Sequence, residues 1–267
     1  MTMLKEPTAT SQPVKVSVFA WVEGMIQRGI IASLVSLISV LCVACVSPAA
    51  RIDAEAARYG FQRQIVQGAD FPHLVYRHQG DATTGRLHVY IEGDGVPWLT
   101  RRIVSADPTP RYALVLRLMA QDTMPALYLG RPCYFGFART SPCERWFWTH
   151  GRFAPAVVDS MAAALTRLLE GQGSRELVLI GHSGGGALAV LLAGRLSGVR
   201  AVVTLAGNLD TDAWIRHHGY SHLAGSLNPA ASPTLARRIE QLHYQGGRDR
   251  EIPPVLIGRF AARQPFA

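Results

Sequence analysis

Ser183 stands third in the run "GHSGGGALA" (181–189), flanked by the residues a serine needs to act as a nucleophile. Upstream, "ELVLI" (176–180) reads as a buried strand, and downstream "GGALAVLLAGRL" reads as an apolar helix. A serine at so sharp a strand-to-helix turn projects its hydroxyl away from the backbone. Side chains at Gly181 and Gly185 would collide with the neighbouring strand and helix, which gives both positions a reason to be glycine. Gly-rich turns also bind nucleotides, but G-x-G-x-x-G is absent here and no Lys precedes the serine as in a phosphate-binding loop. The chemistry indicated is acyl transfer through a covalent serine intermediate.

Such a serine needs an acid, a base and donors for the developing oxyanion. The chain reads "GGRDREIPP" at 246–254 and "IEGDGVPW" at 91–98. With the "GHSGGG" turn, these stretches resemble the α/β-hydrolase superfamily over most of residues 55–267. In that family the acid commonly stands in G-x-x-D-x-x-[VI]-P, which falls here on Asp249, with Gly246 and Gly247 ahead of it and Ile252-Pro253 behind. The implied role of Asp249 is to hold the base imidazole in one tautomer and stabilise its cation. Asp249 also reads as the start of a turn before a helix opened by Pro253-Pro254.

The resemblance implies an oxyanion hole formed by the Gly184 N–H and by the N–H of Asp94 or Gly95, with Glu92 where the family's H-G-x-G turn has histidine. His182 belongs to the elbow itself. A carboxylate at position 94 would oppose an oxyanion, so the Asp94 side chain is expected to point away or be paired, with Arg101 and Arg102 nearby in sequence.

The base is the missing part. The family places a histidine on a loop after the acid, whereas the sequence after Asp249, "REIPPVLIGRFAARQPFA", contains none. The resemblance therefore implies a chain truncated before its last strand and catalytic histidine. His150, His217, His218 and His222 are the surrogate candidates, and His243 lies inside a strand. Two functions follow: a serine hydrolase cleaving a small ester, thioester or amide through an acyl-enzyme, impaired in this chain, or a catalytically inactive relative acting at most as a ligand-binding lipoprotein.

The elements that must position these residues are legible from periodicity. Strands are expected at 61–67, 73–79, 87–93, 126–130, 176–181, 200–207 and 239–247, with helices at 110–122, 153–172, 185–198 and 253–264. Consecutive strands followed by alternating strands and helices predict an α/β fold, a mixed sheet that becomes parallel with helices on both faces. The catalytic-type domain spans 46–267, with a short cap-like segment at about 208–236 and the last strand missing.

Residues 1–45 read as a leader. "GIIASLVSLISVLCVAC" (29–45) follows Arg28 as an apolar signal core, and "MIQRG" makes Met25 a natural start. The ending "LCVAC" resembles a bacterial lipobox with Cys45 lipidated, which implies an exported lipoprotein held at a membrane and facing the periplasm or cell exterior. An oxidising compartment lets Cys133 and Cys143 pair. Two cysteines ten apart with no CxxC make no zinc site, and nothing indicates an organic cofactor. Hydrophobic residues at 48% and charged residues at 17% exclude disorder for most of the chain. The net charge of +8 comes from dispersed arginine, since Lys5 and Lys15 are the only lysines. Without a basic run or interleaved aromatics, nucleic-acid binding has no support.

Overall fold

Valine, leucine and tyrosine alternate along the strand-forming segments so that each central strand presents apolar side chains to two faces. In the computed structural model, which describes residues 46–81, 85–171 and 176–265, these segments pair into one sheet. The leader, Met25 and Cys45 lie outside the described residues. From Ser47 onward the chain forms one compact unit.

The strands are β1 (Gln62–Gln67), β2 (Pro72–His78), β3 (Arg86–Ile91), β6 (Ala126–Leu129), β7 (Glu176–His182), β8 (Val199–Leu205) and β9 (Glu240–Tyr244), in the order β1-β2-β6-β3-β7-β8-β9. β1 with β2 and β2 with β6 are antiparallel, and every later pairing is parallel. A small hairpin of β4 (Trp98–Thr100) and β5 (Ile103–Val104) stands apart from the main sheet. Ile91 pairs with Gly181, and Gly181 with Thr204, so β3, β7 and β8 end side by side. The loops after parallel strands emerge at their carboxyl edge, where open α/β sheets bind ligands.

Helices cover both faces. On one, Val75, Val89, Leu127 and Leu179 pack with α3 (Pro155–Leu169), α4 (Gly184–Ala193) and α6 (Pro254–Ala261). On the other, Leu74, Tyr76, Tyr90 and Tyr128 pack with α1 (Pro48–Arg58) and α2 (Leu114–Met119). In α3, Val157, Val158, Met161, Ala164, Leu165 and Leu168 make a buried stripe at helical spacing. Pro155 opens that helix at a position whose N–H would have no helical partner in any case. α4 is buried along its whole length, and each of its leucines contributes about 1.5–3 kcal/mol of burial.

A buried polar brace ties the first face together. His73 Nδ1 lies 2.9 Å from the Gly130 carbonyl oxygen and Nε2 lies 2.9 Å from Ser160 Oγ. With Nδ1 donating to the carbonyl, Nε2 accepts the Ser160 hydroxyl proton, and both lone groups are satisfied in the neutral ring. Burial holds the His73 pKa down at about 4, so the ring is neutral at pH 7.

All seven expected strands form, with bounds shifted by a residue or two in most: the strands expected to reach Gly93 and Gly130 stop short of those glycines, the one at 239–247 contracts to Glu240–Tyr244 ahead of Gly246-Gly247, and the one at 176–181 runs on to His182. The expected helix at 110–122 contracts to Leu114–Met119, because Pro108 and Pro110 leave the stretch before it as an extended loop. The helix at Pro48–Arg58 and the β4–β5 hairpin were not expected. The first buries only Ile52 and Ala56, and the second is too short for alternation to register. Within 208–236 the chain forms α5 (Thr211–His218), with Asp210 accepting the Ala213 N–H as its N-cap. Among the described residues β9 is an edge strand, with Leu242 and Tyr244 exposed.

Candidate active site

Ser183 occupies the turn between β7 and α4 with φ 51° and ψ −119°, a conformation that costs a non-glycine residue about 1–3 kcal/mol. Hydrogen bonds on both sides hold it there. Its N–H donates to the Leu205 carbonyl at 2.9 Å, while its carbonyl accepts from the N–H groups of Gly186 at 2.9 Å and Asn208 at 3.0 Å. A Cβ on Gly181 would overlap the Gly185 carbonyl, and one on Gly185 would overlap the carbonyl of Ile91. The two glycines are required by close approach of β3, β7 and α4, as their positions imply.

The loop after β3 lies directly against the start of α4. A Cβ on Gly184 would overlap the Asp94 carboxylate, which puts residue 94 beside the first amide of the helix. The first N–H groups of a helix have no partner within it, and Gly184 supplies one. Among the described residues the N–H groups of Asp94 and Gly95 also donate no hydrogen bond. Gly95 has φ 63° and packs against Pro108 and Pro110. Ser183, Asp94 and Gly95 line one cavity, and Gly184 adjoins the Asp94 carboxylate.

The Asp94 side chain is paired, but not with Arg101 or Arg102. Its Oδ1 accepts from Arg131 Nη1, and its Oδ2 accepts from Arg152 Nη1 at 2.8 Å. Arg131 Nη2 also donates to the Arg152 carbonyl at 2.9 Å, and Tyr134 Oη donates to the Asp94 carbonyl at 2.9 Å. The partners come from the loop after β6 and the segment before α3, which are distant in sequence and adjacent in space. Burial alone would raise the Asp94 carboxyl, but the charges of Arg152 and Arg131 outweigh it and hold the pKa down at about 2. Two cations around one carboxylate leave the cluster net positive.

Glu92 is buried at the end of β3. Its Oε1 accepts from the Gly93 N–H and its Oε2 from the Val115 N–H at the start of α2, both at 3.2 Å. It fixes the loop in the place where the resemblance puts a histidine.

Around Ser183 opens a cavity of about 840 Å³, with Asn208, Trp98, Trp214 and Tyr220 on its walls. Among the described residues only His150 and His182 line it, and no hydrogen bond joins either to Ser183 Oγ. His150 Nδ1 pairs with the His222 carbonyl at 3.0 Å. His218 Nε2 pairs with the Glu251 carbonyl at 2.8 Å, and neither His217, His218 nor His222 reaches the cavity wall. His243 is half-buried in β9: its Nδ1 is 2.9 Å from Thr204 Oγ1, its ring meets Phe260 edge-on, and burial lowers its pKa to about 4.

Asp249 follows β9 but does not line the cavity. Its Oδ1 accepts the N–H groups of Glu251 at 2.8 Å and Ile252 at 3.0 Å, which holds the turn leading into α6. Among the described residues no histidine bonds to it. Cys133 and Cys143 form a disulfide with their Cα atoms 5.4 Å apart, close in sequence to Arg131 and Tyr134. Sequence reasoning missed Arg131, Arg152 and Tyr134. The available signal was an arginine immediately after the apolar strand "ALYLG", where an unpaired charge would be costly.

A largely parallel sheet in this strand order, with helices on both faces and a serine at the tight turn after a central strand, is the α/β-hydrolase fold, and the chain has it. The family model for lipase (class 3) matches residues 134–201, about a quarter of the chain, including β7, the Ser183 turn and α4. Among solved structures, the esterase Pf2001 of Pyrococcus furiosus is similar with a TM-score of 0.52 and 12% identity, covering 78% of this chain and 79% of that one. Prolyl oligopeptidase B from Galerina marginata matches with a TM-score of 0.51 and 17% identity over 78% of this chain and 33% of that chain. A puromycin hydrolase matches with a TM-score of 0.50 and 19% identity over 76% and 33%. The chain thus spans about a third of the length of the last two proteins. A comparison of the sequence with curated proteins finds none that matches.

Proposed function

We propose that this chain is a serine hydrolase of the esterase type, in which Ser183 attacks the carbonyl of a small ester, thioester or amide and forms an acyl-enzyme. The observation that carries the reading is the strained Ser183 backbone at the start of α4, on a cavity wall that it shares with Asp94 and Gly95. In this reading Ser183 presents its hydroxyl to a carbonyl carbon, while the N–H groups of Gly184 and of Asp94 or Gly95 take the oxygen that becomes negative. The net positive Arg131–Asp94–Arg152 cluster adjoins Gly184 and favours the same charge. The test is Ser183→Ala, which abolishes both labelling by a serine-directed fluorophosphonate and ester turnover. Turnover that survives the substitution overturns the reading.

A second reading is favoured by one observation: no histidine bonds to Ser183 Oγ among the described residues. Nucleophile, base and acid act as a unit, and a serine without its base retains only about 10³–10⁴-fold catalysis over water, from binding and the oxyanion hole. We therefore propose that this chain hydrolyses slowly and in the limit only binds its ligands. We also propose export, with lipid on Cys45 as the membrane anchor. The disulfide between Cys133 and Cys143 supports an oxidising compartment.

A further inference from the structure

Charge on the cavity wall is unevenly spent. Arg152 is committed to Asp94, and Asp94 to Arg152 and Arg131. Glu92 is committed to two backbone amides. Arg101 and Arg111 also line the cavity, both exposed, and among the described residues neither makes an ion pair or a side-chain hydrogen bond. The nearest acid in their own segments, Asp107, turns its Oδ1 to the Thr109 N–H at 2.9 Å. The remaining acid on the wall, Glu251, belongs to the loop between β9 and α6, where its carbonyl accepts from Trp214.

Both arginines hang from segments tied to the loop that carries Asp94 and Gly95. Val96 N–H donates to the Pro108 carbonyl at 2.9 Å, and Ser105 N–H to the Pro97 carbonyl at 3.0 Å. A Cβ on Gly95 would overlap the Pro108 carbonyl, so the segment leading to Arg111 rests directly on the amide loop. Trp98 precedes Arg101 on the same hairpin, and Tyr112 follows Arg111. Two guanidinium groups without carboxylate partners, on the same cavity wall as Trp98, Tyr112 and Ser183, are the donors that bind carboxylate or phosphate bidentately.

Resting on the serine hydrolase reading above, we propose that the cavity selects esters whose non-reacting end carries an anionic group, a carboxylate or a phosphate, held by Arg101 and Arg111. The aromatic walls take the body of the molecule, and the scissile carbonyl lies at Ser183. The potential from unpaired arginines at the cavity also concentrates anions there, the more so at low salt.

The test compares three p-nitrophenyl esters on the intact chain: the glutarate half-ester, an acyl ester ending in phosphate, and neutral valerate. The expected kcat/KM ratio of anionic to neutral ester is about 10- to 100-fold, since one charge-assisted bidentate contact is worth about 1.5–3 kcal/mol. In R101Q/R111Q the ratio falls towards one, and added salt lowers it in the parent chain. Which anionic ester gains more distinguishes carboxylate from phosphate. A ratio near one in the parent chain, or one that the double substitution leaves unchanged, overturns the proposal. Calorimetric binding of monomethyl glutarate against dimethyl glutarate reads the arginine site without catalysis. Preference for the monoanion, lost in R101Q/R111Q, supports the site even where Ser183 fails to label, and equal binding of the two overturns it.

Discussion

Arg152 Nη1 donates to Asp94 Oδ2 at 2.8 Å, and Arg131 grips the other carboxylate oxygen. The carboxylate that lies against Gly184, whose charge would oppose an oxyanion, is thereby neutralised and overcompensated. Removing either arginine leaves a buried carboxylate short of a partner. Arg152→Leu is expected to destabilise the fold by about 3–5 kcal/mol, read as a shift in the urea midpoint. Asp94→Asn with Arg152→Leu is expected to recover part of that loss, and a double variant no more stable than the single one contradicts the pairing.

Stability should also depend on pH through two histidines, His73 buried and His243 half-buried. His73 and His243 both have their pKa lowered to about 4 by burial, so the folded state disfavours their charged forms. With an unfolded value near 6.5, their contribution is complete above about pH 6.5 and is lost as pH falls towards 4. His73, fully buried, accounts for roughly 3 kcal/mol of that change. Asp94, held at about 2 against an unfolded value of about 3.9, stays ionised in the folded state and adds its own loss chiefly below about pH 5, as the unfolded chain protonates. Urea midpoints at pH 7 and pH 4.5 measure the loss, and equal midpoints refute it.

Much of the fold was legible because its strands are long apolar runs and its helices carry a clear apolar stripe. The Ser183 turn was legible for the same reason, since its neighbours fix its glycines locally. Asp94 shows where sequence reasoning ends. Its need for a partner was evident, but Arg131 and Arg152 reach it across 37 and 58 residues, and only the sheet order brings them there. The β4–β5 hairpin that carries Arg101 is two short strands around a charged tip, with no period long enough to read.

Close packing at the turn gives a further test. Gly184→Ala would drive a Cβ into the Asp94 carboxylate, whereas Gly247 has open space around it. Gly184→Ala is expected to abolish labelling of Ser183 even where the protein folds. Gly247→Ala is expected to change stability by no more than about 0.5 kcal/mol. Normal labelling in Gly184→Ala would contradict the placement of Asp94.

The compartment can be checked on exported protein. Peptide mapping without reductant is expected to recover Cys133 linked to Cys143, a bridge worth about 2–3 kcal/mol for so short a loop. Cys45→Ser is expected to release the protein from the membrane or stall its processing. Free thiols at 133 and 143, or an unaltered membrane-bound mass in the Cys45 variant, contradict these expectations.

The most direct measurement is the rate and position of fluorophosphonate labelling in the intact chain and in Ser183→Ala. The account predicts an adduct that maps to Ser183, forms slowly, and is absent from the alanine variant. An adduct on another residue, or labelling that persists in Ser183→Ala, contradicts the assignment of the nucleophile. Rapid labelling at Ser183 contradicts the slow chemistry and makes His150 or His182, the histidines on the cavity wall among the described residues, the base.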